Sequence, residues 1–262
     1  SVRNWRQIGL GQMGLGSMLI KMKMKYGEKP SLELCDKIGK TMINAALQQS
    51  AYLAKKDGPY PKYKAEAVLN SSFLKENATE ETINLIEKYG LRNSQLLTIA
   101  PTGSISNLVG GSGGIEPLFK VSYTRKTETL YDEETEYEIF DPIVEEYMEK
   151  EDIKDKENLP EFIVDAHDLD YKKRIDMQAV WQKYIDASIS STINLDNSKT
   201  VNEIKDLYKY AWKKGLKGVT IYRDSCAREG ILSGNENVEG KTEMEAQDFI
   251  DQGICPECQG QL

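Results

Sequence analysis

A segment rich in hydroxyl side chains and glycine, PTGSISNLVGGSGGIEP at 101–117, carries the clearest chemistry in the sequence. It follows the apolar run QLLTIA at 95–100, which we predict to be a short buried strand that Pro101 ends. Gly103 permits a tight backbone, and Ser104 is predicted to open a short helix. Its free N–H groups and the nearby hydroxyls together form a site for an anion, and the predicted ligand is a phosphate. The positions predicted to contact it are Thr102, Gly103, Ser104 and Ser106. A helix cap without a ligand is an equally good interpretation of these residues.

A second glycine cluster, at Gly110, Gly111, Gly113 and Gly114, lies in the same segment and favours close approach of the backbone to a ligand. An earlier run, GLGQMG at 9–14, has the G-x-G-x-x-G spacing of dinucleotide-binding loops. That interpretation requires a buried strand before the first glycine, and the preceding SVRNWRQI is too polar to be one. We therefore interpret these glycines as positions where a helix packs closely or the chain turns.

The chain contains 4 cysteines, and two of them, Cys255 and Cys258, form a C-x-x-C pair near the carboxyl terminus. Such a pair is half of a tetrahedral zinc site or a dithiol that can close into a disulfide. Cys35 falls in an amphipathic helical pattern and is expected to be a buried thiol without chemistry. Cys226 is not expected to be a nucleophile, and His167, the 1 histidine, is expected to be structural.

Composition narrows the classes of protein that fit. The 262 residues are 39% hydrophobic and carry a formal net charge of −8. Such a chain can bury a sizeable core, whereas proteins that bind nucleic-acid backbones present a basic face. No run of about 20 apolar residues and no signal peptide is present. We expect a cytoplasmic protein that binds neither nucleic acid nor membrane.

Helical and strand patterns alternate along the chain, which favours an α/β fold with parallel strands. Ser31 is predicted to cap a long helix that ends near Asp57, and Thr79 a second helix that ends at Gly90. The apolar face predicted for the long helix is Leu34, Ile38, Met42 and Ala45. The segment 119–140 alternates like a β-hairpin, and 149–158 is predicted to be a charge-rich loop.

A βαβ unit is predicted between residues 188 and 222. The strand SISSTINL at 188–195 precedes a capping box formed by Thr200 and Glu203. The helix ends at Gly215, and GVTIY at 218–222 is predicted to be a second buried strand. The residues predicted to line the buried face of the helix are Ile204, Leu207, Tyr208 and Ala211.

The composition divides the chain into three parts. Residues 1–232 form the α/β domain, 233–253 form an acidic polar linker, and 254–262 form a short tail that carries the C-x-x-C pair. Because the tail follows a linker, we expect it to be tethered rather than packed in the core.

The motifs follow one another along the chain as IGLGQMGLG, APTGSIS, GGSGGIEPLF, VWQKYIDASISSTINL, GLKGVTIYRD and CPEC. In that order they resemble the carboxyl-terminal part of the large catalytic subunit of ribonucleotide reductase, most closely the adenosylcobalamin-dependent class. The resemblance covers nearly the whole chain. It implies the carboxyl-terminal part of a ten-stranded α/β barrel with a flexible cysteine-bearing tail. In that barrel a cysteine thiyl radical abstracts hydrogen from the ribose, a cysteine pair supplies electrons and the 2′-hydroxyl leaves as water.

The resemblance also implies roles for particular residues. The loop that holds the substrate phosphates matches Thr102, Gly103, Ser104 and Ser106, and the neighbouring segment that shapes the site matches Gly114, Ile115 and Glu116. A carboxylate bonded to backbone N–H groups is an equally good interpretation of Glu116. The radical cysteine and its flanking Asn and Glu are expected upstream, so no catalytic residue is assigned in this chain. The implied cofactors are adenosylcobalamin and, in the complete tail, zinc. The implied partners are a ribonucleotide, the amino-terminal half of the same enzyme, a thioredoxin-like reductant and, in the full enzyme, a second copy.

Three alternatives stay open. The first is the iron-dependent class of reductase. That class has a pair of adjacent tyrosines, whereas here the residue next to Tyr222 is Ile221, which disfavours this alternative. We interpret Tyr222 as a core or site-wall residue. The second is a non-catalytic fragment that needs an amino-terminal half, for which the residue at position 1, a serine, is a slight indication. The third is a metal-ribbon module based on the cysteine pair alone, which the acidic charge disfavours.

Overall fold

A computed structural model describes residues 2–128 and 134–223. The predictions for Cys226, for the linker at 233–253 and for the tail with Cys255 and Cys258 lie outside these ranges.

The described residues form ten α-helices, one 3-10 helix and four β-strands. The helices are α1 (Val2–Trp5), α2 (Leu15–Lys21), α3 (Lys29–Asp57), α4 (Ala65–Leu69), α5 (Ser72–Asn77), α6 (Glu80–Tyr89), α7 (Gly103–Leu108), α8 (Pro142–Glu151), α9 (Tyr171–Gln182) and α10 (Val201–Lys213). The 3-10 helix is Lys156–Asn158, and the strands are β1 (Ser122–Glu128), β2 (Glu134–Phe140), β3 (Thr192–Leu195) and β4 (Thr220–Arg223).

Parallel chain segments form the centre of the fold. Leu10 bridges Leu97, and Ile99 bridges Ile189, both in parallel orientation. The segment containing Ile189 continues into β3, which pairs in parallel with β4. The 95–100 segment therefore lies between two parallel neighbours, with Leu97 and Ile99 in the core. The prediction of parallel pairing in a mixed α/β fold is confirmed, although the 95–100 segment makes single bridges rather than a regular strand.

The long helix α3 begins three residues earlier than predicted. It starts at Lys29, with Pro30 in its first turn, and Glu28 is its N-cap. Ser31 is not the cap, because its side chain is buried inside the first turn and its hydroxyl donates to the Glu28 carbonyl oxygen at 2.8 Å. The predicted end is confirmed, since the helix stops at Asp57.

The buried face of α3 differs from the predicted face by one position. The fully packed line is Cys35, Gly39, Ile43 and Leu47, whereas Leu34, Ile38 and Met42 are only partly buried and Ala45 is exposed. Gly39 explains the difference, because a Cβ there would lie 2.5 Å from the Tyr184 ring. The small residues let α9 and the turn after it approach closely, and the larger apolar residues flank that contact.

Local capping signals are confirmed elsewhere. The Thr79 side chain accepts a hydrogen bond from the Thr82 N–H at the start of α6, and Gly90, with φ of 73°, follows its end. The predicted hairpin is β1 paired antiparallel with β2. The predicted loop at 149–158 is wrong in its first part, because α8 continues to residue 151, and the 3-10 helix occupies part of the remainder.

The βαβ unit is confirmed as β3, α10 and β4. The capping box of Thr200 and Glu203 forms as predicted, and Gly215 follows the helix end with φ of 78°. Tyr208 is 49% exposed and does not belong to the buried face. Tyr210 takes that place, with its hydroxyl donating to Asp176 Oδ1 at 2.8 Å.

Both strands of this unit differ from the prediction in extent or burial. The first strand is shorter than predicted and covers only β3. The second, β4, is half-buried to exposed rather than buried, because within the described ranges it pairs with β3 on one side only. In the same ranges, no helix is long and apolar enough to cross a membrane.

Candidate functional site

The candidate site lies at the carboxyl end of the 95–100 segment, where parallel α/β folds gather their ligands. The chain leaves this segment at Pro101 and enters α7 through Thr102, whose φ of 52° places it in the left-handed region. The prediction that a short helix follows the strand is confirmed, but the helix begins at Gly103 rather than at Ser104. The residue with the unusual backbone is Thr102 rather than Gly103.

The first turn of α7 leaves backbone donors free. The first helical hydrogen bond runs from the Ser106 N–H to the Thr102 carbonyl oxygen at 2.8 Å. The N–H groups of Gly103, Ser104 and Ile105 precede that bond, and no described residue accepts from them. Three adjacent N–H donors at a helix start attract an anion.

The three hydroxyls of this loop have different surroundings. Thr102 Oγ1 accepts from the Gly114 N–H at 2.9 Å, which leaves its own hydrogen available to donate. Ser104 is exposed, so its hydroxyl is accessible to a ligand. Ser106 is buried, and its hydroxyl donates to the Gly103 carbonyl oxygen at 3.1 Å. In this geometry Ser106 supports the turn, and the hydroxyls that remain available to donate belong to Thr102 and Ser104.

The second glycine cluster folds back under this loop. A Cβ at Gly113 would lie 3.0 Å from the Pro101 carbonyl oxygen, and one at Gly114 would lie 3.1 Å from the Ala100 carbonyl oxygen. Gly114 also has φ of 45°. The observed reason for glycine here is therefore close approach of the returning chain to the end of the 95–100 segment.

The GLGQMG run packs beside the same segment. A Cβ at Gly11 would lie 2.2 Å from the Thr98 carbonyl oxygen, so only glycine allows the two segments to pair this closely. Gly14, with φ of 83°, is the N-cap of α2. The run is thus an extended neighbour of the 95–100 segment rather than part of a helix, and α2 begins after its third glycine. In dinucleotide-binding loops the helix opens within the glycine motif, before its third glycine. The structure therefore agrees with the exclusion of a dinucleotide-binding loop.

Glu116, at the far end of the loop, bonds to the protein itself. Its Oε1 accepts from the Thr192 N–H at 2.6 Å and lies 3.8 Å from Arg174 Nη2. The preceding Ile115 is fully buried, and its carbonyl oxygen accepts from the Tyr26 hydroxyl at 2.6 Å. Of the two interpretations of Glu116, the structure therefore shows the bond to a backbone N–H. The Ile115 side chain packs in the core and forms the back of the site.

Burial is the largest cause of the pKa shifts of the two titratable groups near Glu116, Arg174 and Tyr26. Burial lowers the pKa of Arg174, and the neighbouring Tyr26 and Glu116 oppose that shift. Burial also raises the pKa of Tyr26 well above its usual value, so this hydroxyl keeps its proton and acts as a donor. The sequence patterns did not select Arg174. The sequence signal that could have identified Arg174 is its position as a charged residue in the helical run RIDMQAVW, on the face of the helix that is buried.

The other candidates have structural roles within the described residues. Cys35 is fully buried, and burial raises the pKa of its thiol to about 12, so it is an inert core thiol as expected. His167 lies in a turn with its ring 5.6 Å from the Phe119 ring. Tyr222 is half-buried on β4, opposite Asn194 on β3. No group of three metal-ligating side chains occurs in the ranges that the structure describes.

Parallel segments in a mixed α/β fold, with free backbone donors at a segment's carboxyl end, define a class of α/β protein with a candidate anion site at that end. Within that class the family is clear, since the family model described as "Ribonucleotide reductase, barrel domain" matches residues 1–222. The chain belongs to this family, which confirms the resemblance drawn from the motifs.

Curated relatives carry names that agree with this family. A vitamin B12-dependent ribonucleoside-diphosphate reductase of Thermoplasma acidophilum is 32% identical over 88% of this chain and 30% of its own length. A protein of the same name from Mycobacterium tuberculosis is 28% identical over 89% of this chain and 33% of its own length. A ribonucleoside-diphosphate reductase subunit alpha of Helicobacter pylori is 32% identical over 83% of this chain and 28% of its own length. The chain thus spans about a third of the length of these relatives.

Proposed function

We propose that this chain is the carboxyl-terminal barrel part of a ribonucleotide reductase catalytic chain, which converts ribonucleotides into deoxyribonucleotides. In this proposal the chain supplies the loop that binds the substrate phosphates. The observation that carries it is the start of α7, where the N–H groups of Gly103, Ser104 and Ile105 have no acceptor among the described residues. The half-buried hydroxyl of Thr102 and the exposed hydroxyl of Ser104 complete a set of donors suited to a phosphate.

Anchoring the phosphate orients the ribose. A substrate held at one end by several hydrogen bonds loses most of its rotational freedom before reaction, which lowers the entropic part of the barrier. The ribose then has a defined position relative to the radical. The described residues contain one cysteine, Cys35, which is buried in the core. The proposal therefore assigns the radical cysteine, with its flanking Asn and Glu, to an upstream part of the enzyme.

The names of the relatives support a diphosphate substrate and a cobalamin cofactor. When bound, adenosylcobalamin supplies the radical that begins the reaction. We assign none of the described residues to holding it, because they contain no set of side chains recognisable as its site. Zinc at Cys255 and Cys258 is a separate proposal that concerns the tail outside the described ranges.

The further features of the proposal follow from the family. They are closure of the parallel segments into a ten-stranded barrel with an upstream half, electron supply from a thioredoxin-like reductant, and a homodimer of the full enzyme. The described part contributes three parallel segments that pair side by side, with β4 as a fourth. These segments have the orientation that a parallel barrel requires.

A second candidate is a reductase that works without cobalamin. It is the iron-dependent alternative left open by the sequence, and the words "subunit alpha" in the name of the Helicobacter pylori relative support an enzyme with a second subunit. Its identity to this chain, 32%, equals that of the Thermoplasma acidophilum relative. The two candidates share the phosphate loop and differ in the source of the radical.

The test joins this chain to the upstream part of a vitamin B12-dependent reductase and measures deoxyribonucleotide formation. We expect turnover of a ribonucleoside diphosphate with adenosylcobalamin and a dithiol, and none from the 262-residue chain alone. The matched control is the joined enzyme with Ser104→Ala, in which we expect a raised KM. Turnover by the isolated chain would contradict the proposal, and so would a folded joined enzyme that binds no nucleotide. Turnover that needs a second protein instead of cobalamin would select the second candidate.

A further inference from the structure

The 95–100 segment forms a parallel hydrogen-bond ladder with the segment that leads into β3. This ladder continues by one further bond after the backbone of the 95–100 segment has turned away at Pro101. The Ile99 N–H donates to the Ser188 carbonyl oxygen at 3.1 Å, and the Ser190 N–H donates to the Ile99 carbonyl oxygen at 2.8 Å. In a parallel ladder the next donor is the Thr192 N–H, and its acceptor would be the carbonyl oxygen of Pro101. Pro101 has turned into the loop, and Glu116 Oε1 accepts from Thr192 at 2.6 Å instead.

Arg174 also bonds to Thr192, at its carbonyl oxygen rather than at its N–H. It projects from α9, is 2% exposed, and donates from Nη2 to the Thr192 carbonyl oxygen. The same Nη2 lies 3.8 Å from Glu116 Oε1. Thr192 is therefore bonded at its N–H and at its carbonyl by the two members of one ion pair. Arg174 Nε and Nη1 are buried without a partner among the described residues, so Glu116 is the carboxylate that balances this charge.

This pair connects to the candidate phosphate loop through two residues. Glu116 is next to Ile115, whose carbonyl oxygen is held by the Tyr26 hydroxyl at 2.6 Å. One residue earlier, the Gly114 N–H donates to Thr102 Oγ1 at 2.9 Å. A continuous path thus runs from Arg174 through the ion pair, the backbone of residues 114–116 and one hydrogen bond to Thr102, the N-cap of α7.

We infer that Arg174 and Glu116 are positioning residues for the phosphate loop. Their ion pair fixes the end of the 101–117 loop to β3, and this keeps the Gly114 N–H where it bonds Thr102. The inference rests on the proposed function for its consequence in the enzyme, whereas the mechanical coupling is a property of this chain. A buried arginine is suited to the role because breaking such a pair leaves an uncompensated charge, which makes the arrangement rigid.

The first measurement is residue-resolved amide hydrogen exchange on the 262-residue chain. The variants are Glu116→Gln, which is isosteric, and Arg174→Met. The control is Lys183→Met, which removes an exposed ion pair with Asp36 at the end of the same helix. In both variants we expect exchange of the Thr192 and Gly114 amides to accelerate about tenfold, with the Ser190 amide unchanged, because hydrogen bonds to charged groups are lost locally.

The outcomes separate positioning from general stabilisation. Faster exchange throughout the sheet, including Ser190, or unchanged exchange at Gly114 would overturn the inference. If Arg174→Met does not fold, the isosteric Glu116→Gln decides between these outcomes. The Lys183→Met control is expected to leave Thr192 and Gly114 at the parent's rates.

The second measurement uses the joined reductase. For Glu116→Gln we expect KM for a ribonucleoside diphosphate to rise about tenfold with kcat nearly unchanged, because the loop binds substrate before the reaction. Arg174→Lys is expected to raise KM less than Arg174→Met, since lysine keeps the positive charge but not the guanidinium geometry. An unchanged KM overturns the positioning role. If the parent joined enzyme binds no nucleotide while exchange changes as expected, the proposed function fails and the coupling stands.

Discussion

Thr102 and Gly114 meet across the loop, with the Gly114 N–H donating to Thr102 Oγ1 at 2.9 Å. This contact joins the residue that enters α7 to the residue at which the chain returns to the core. It also orients the Thr102 hydroxyl, because an oxygen that accepts from Gly114 directs its own hydrogen elsewhere. The loop is therefore preorganised by the protein, which would reduce the entropic cost of binding the proposed phosphate.

The two serines of α7 are expected to respond differently to replacement by alanine. Ser104→Ala removes an exposed hydroxyl, so stability stays within about 0.5 kcal/mol of the parent. In the joined reductase the same change raises KM about tenfold, because a hydrogen bond to a charged group is lost. Ser106→Ala removes a buried internal bond and costs about 1 kcal/mol of stability. Urea unfolding and steady-state kinetics measure the two effects. A larger loss of stability for Ser104→Ala than for Ser106→Ala would reverse the assignment.

Gly11 is expected to be the glycine of the GLGQMG run that tolerates substitution least. A Cβ there would lie 2.2 Å from the Thr98 carbonyl oxygen, which is backbone and cannot move aside alone. Gly11→Ala should destabilise the fold by on the order of 1–3 kcal/mol through overpacking. Gly218→Ala is the control, since no atom lies within 4 Å of the added methyl group. Urea unfolding compares the two variants, and equal midpoints would show that the extended segment does not pair with Thr98 in solution.

The pair Cys255 and Cys258 is expected to bind zinc weakly in this chain. A structural zinc site needs four ligands, and the ranges that the structure describes contain no group of three candidate ligands. Cys35 is buried in the core and does not reach a tail. Zinc content after dialysis against a mild chelator, together with a count of free thiols, measures this. One tightly held zinc per chain, lost in Cys255→Ser, would show that further ligands complete the site.

Helix ends were predictable from the sequence because their causes are local. Thr79 and Thr200 cap helices through bonds to residues three positions away, and Gly90 and Gly215 adopt positive φ immediately after helix ends. All the atoms involved lie within one turn, so the pattern of residue types is sufficient. The start of α7 is different, because its N-cap Thr102 makes no capping bond within the helix and bonds the distant Gly114 instead.

Contacts between distant segments were not predictable in the same way. The buried face of α3 depends on Tyr184 packing over Gly39, and periodicity selected larger apolar residues instead. The ion pair of Arg174 and Glu116 joins a helix to a loop far away in the sequence. The pattern of residue types along the chain does not indicate that these two residues pair. They meet only when the parallel segments are in register.

Glu203 gives the fold a dependence on acid pH that can be isolated. Its pKa is lowered chiefly by the hydrogen bond from the Thr200 N–H, and further by the Thr200 hydroxyl. A carboxyl group whose folded pKa is lowered contributes stability above its unfolded pKa of about 4.3. That contribution is lost as the pH falls through the folded pKa. The parent should therefore be more stable than Glu203→Gln at neutral pH, and the difference should shrink below about pH 4.3.

Thermal unfolding of the parent and Glu203→Gln between about pH 3 and 7 measures this difference across the unfolded pKa. Lys199→Met is the matched control, because its ion pair with Glu203 is a smaller cause of the lowered pKa than the bonds from Thr200. That variant should keep the pH dependence of the parent. Melting curves of the parent and Glu203→Gln that stay equally separated at every pH would show that the capping box does not lower the pKa of Glu203. The capping box would then stabilise α10 through geometry alone, since a glutamine oxygen accepts the same hydrogen bond without a charge.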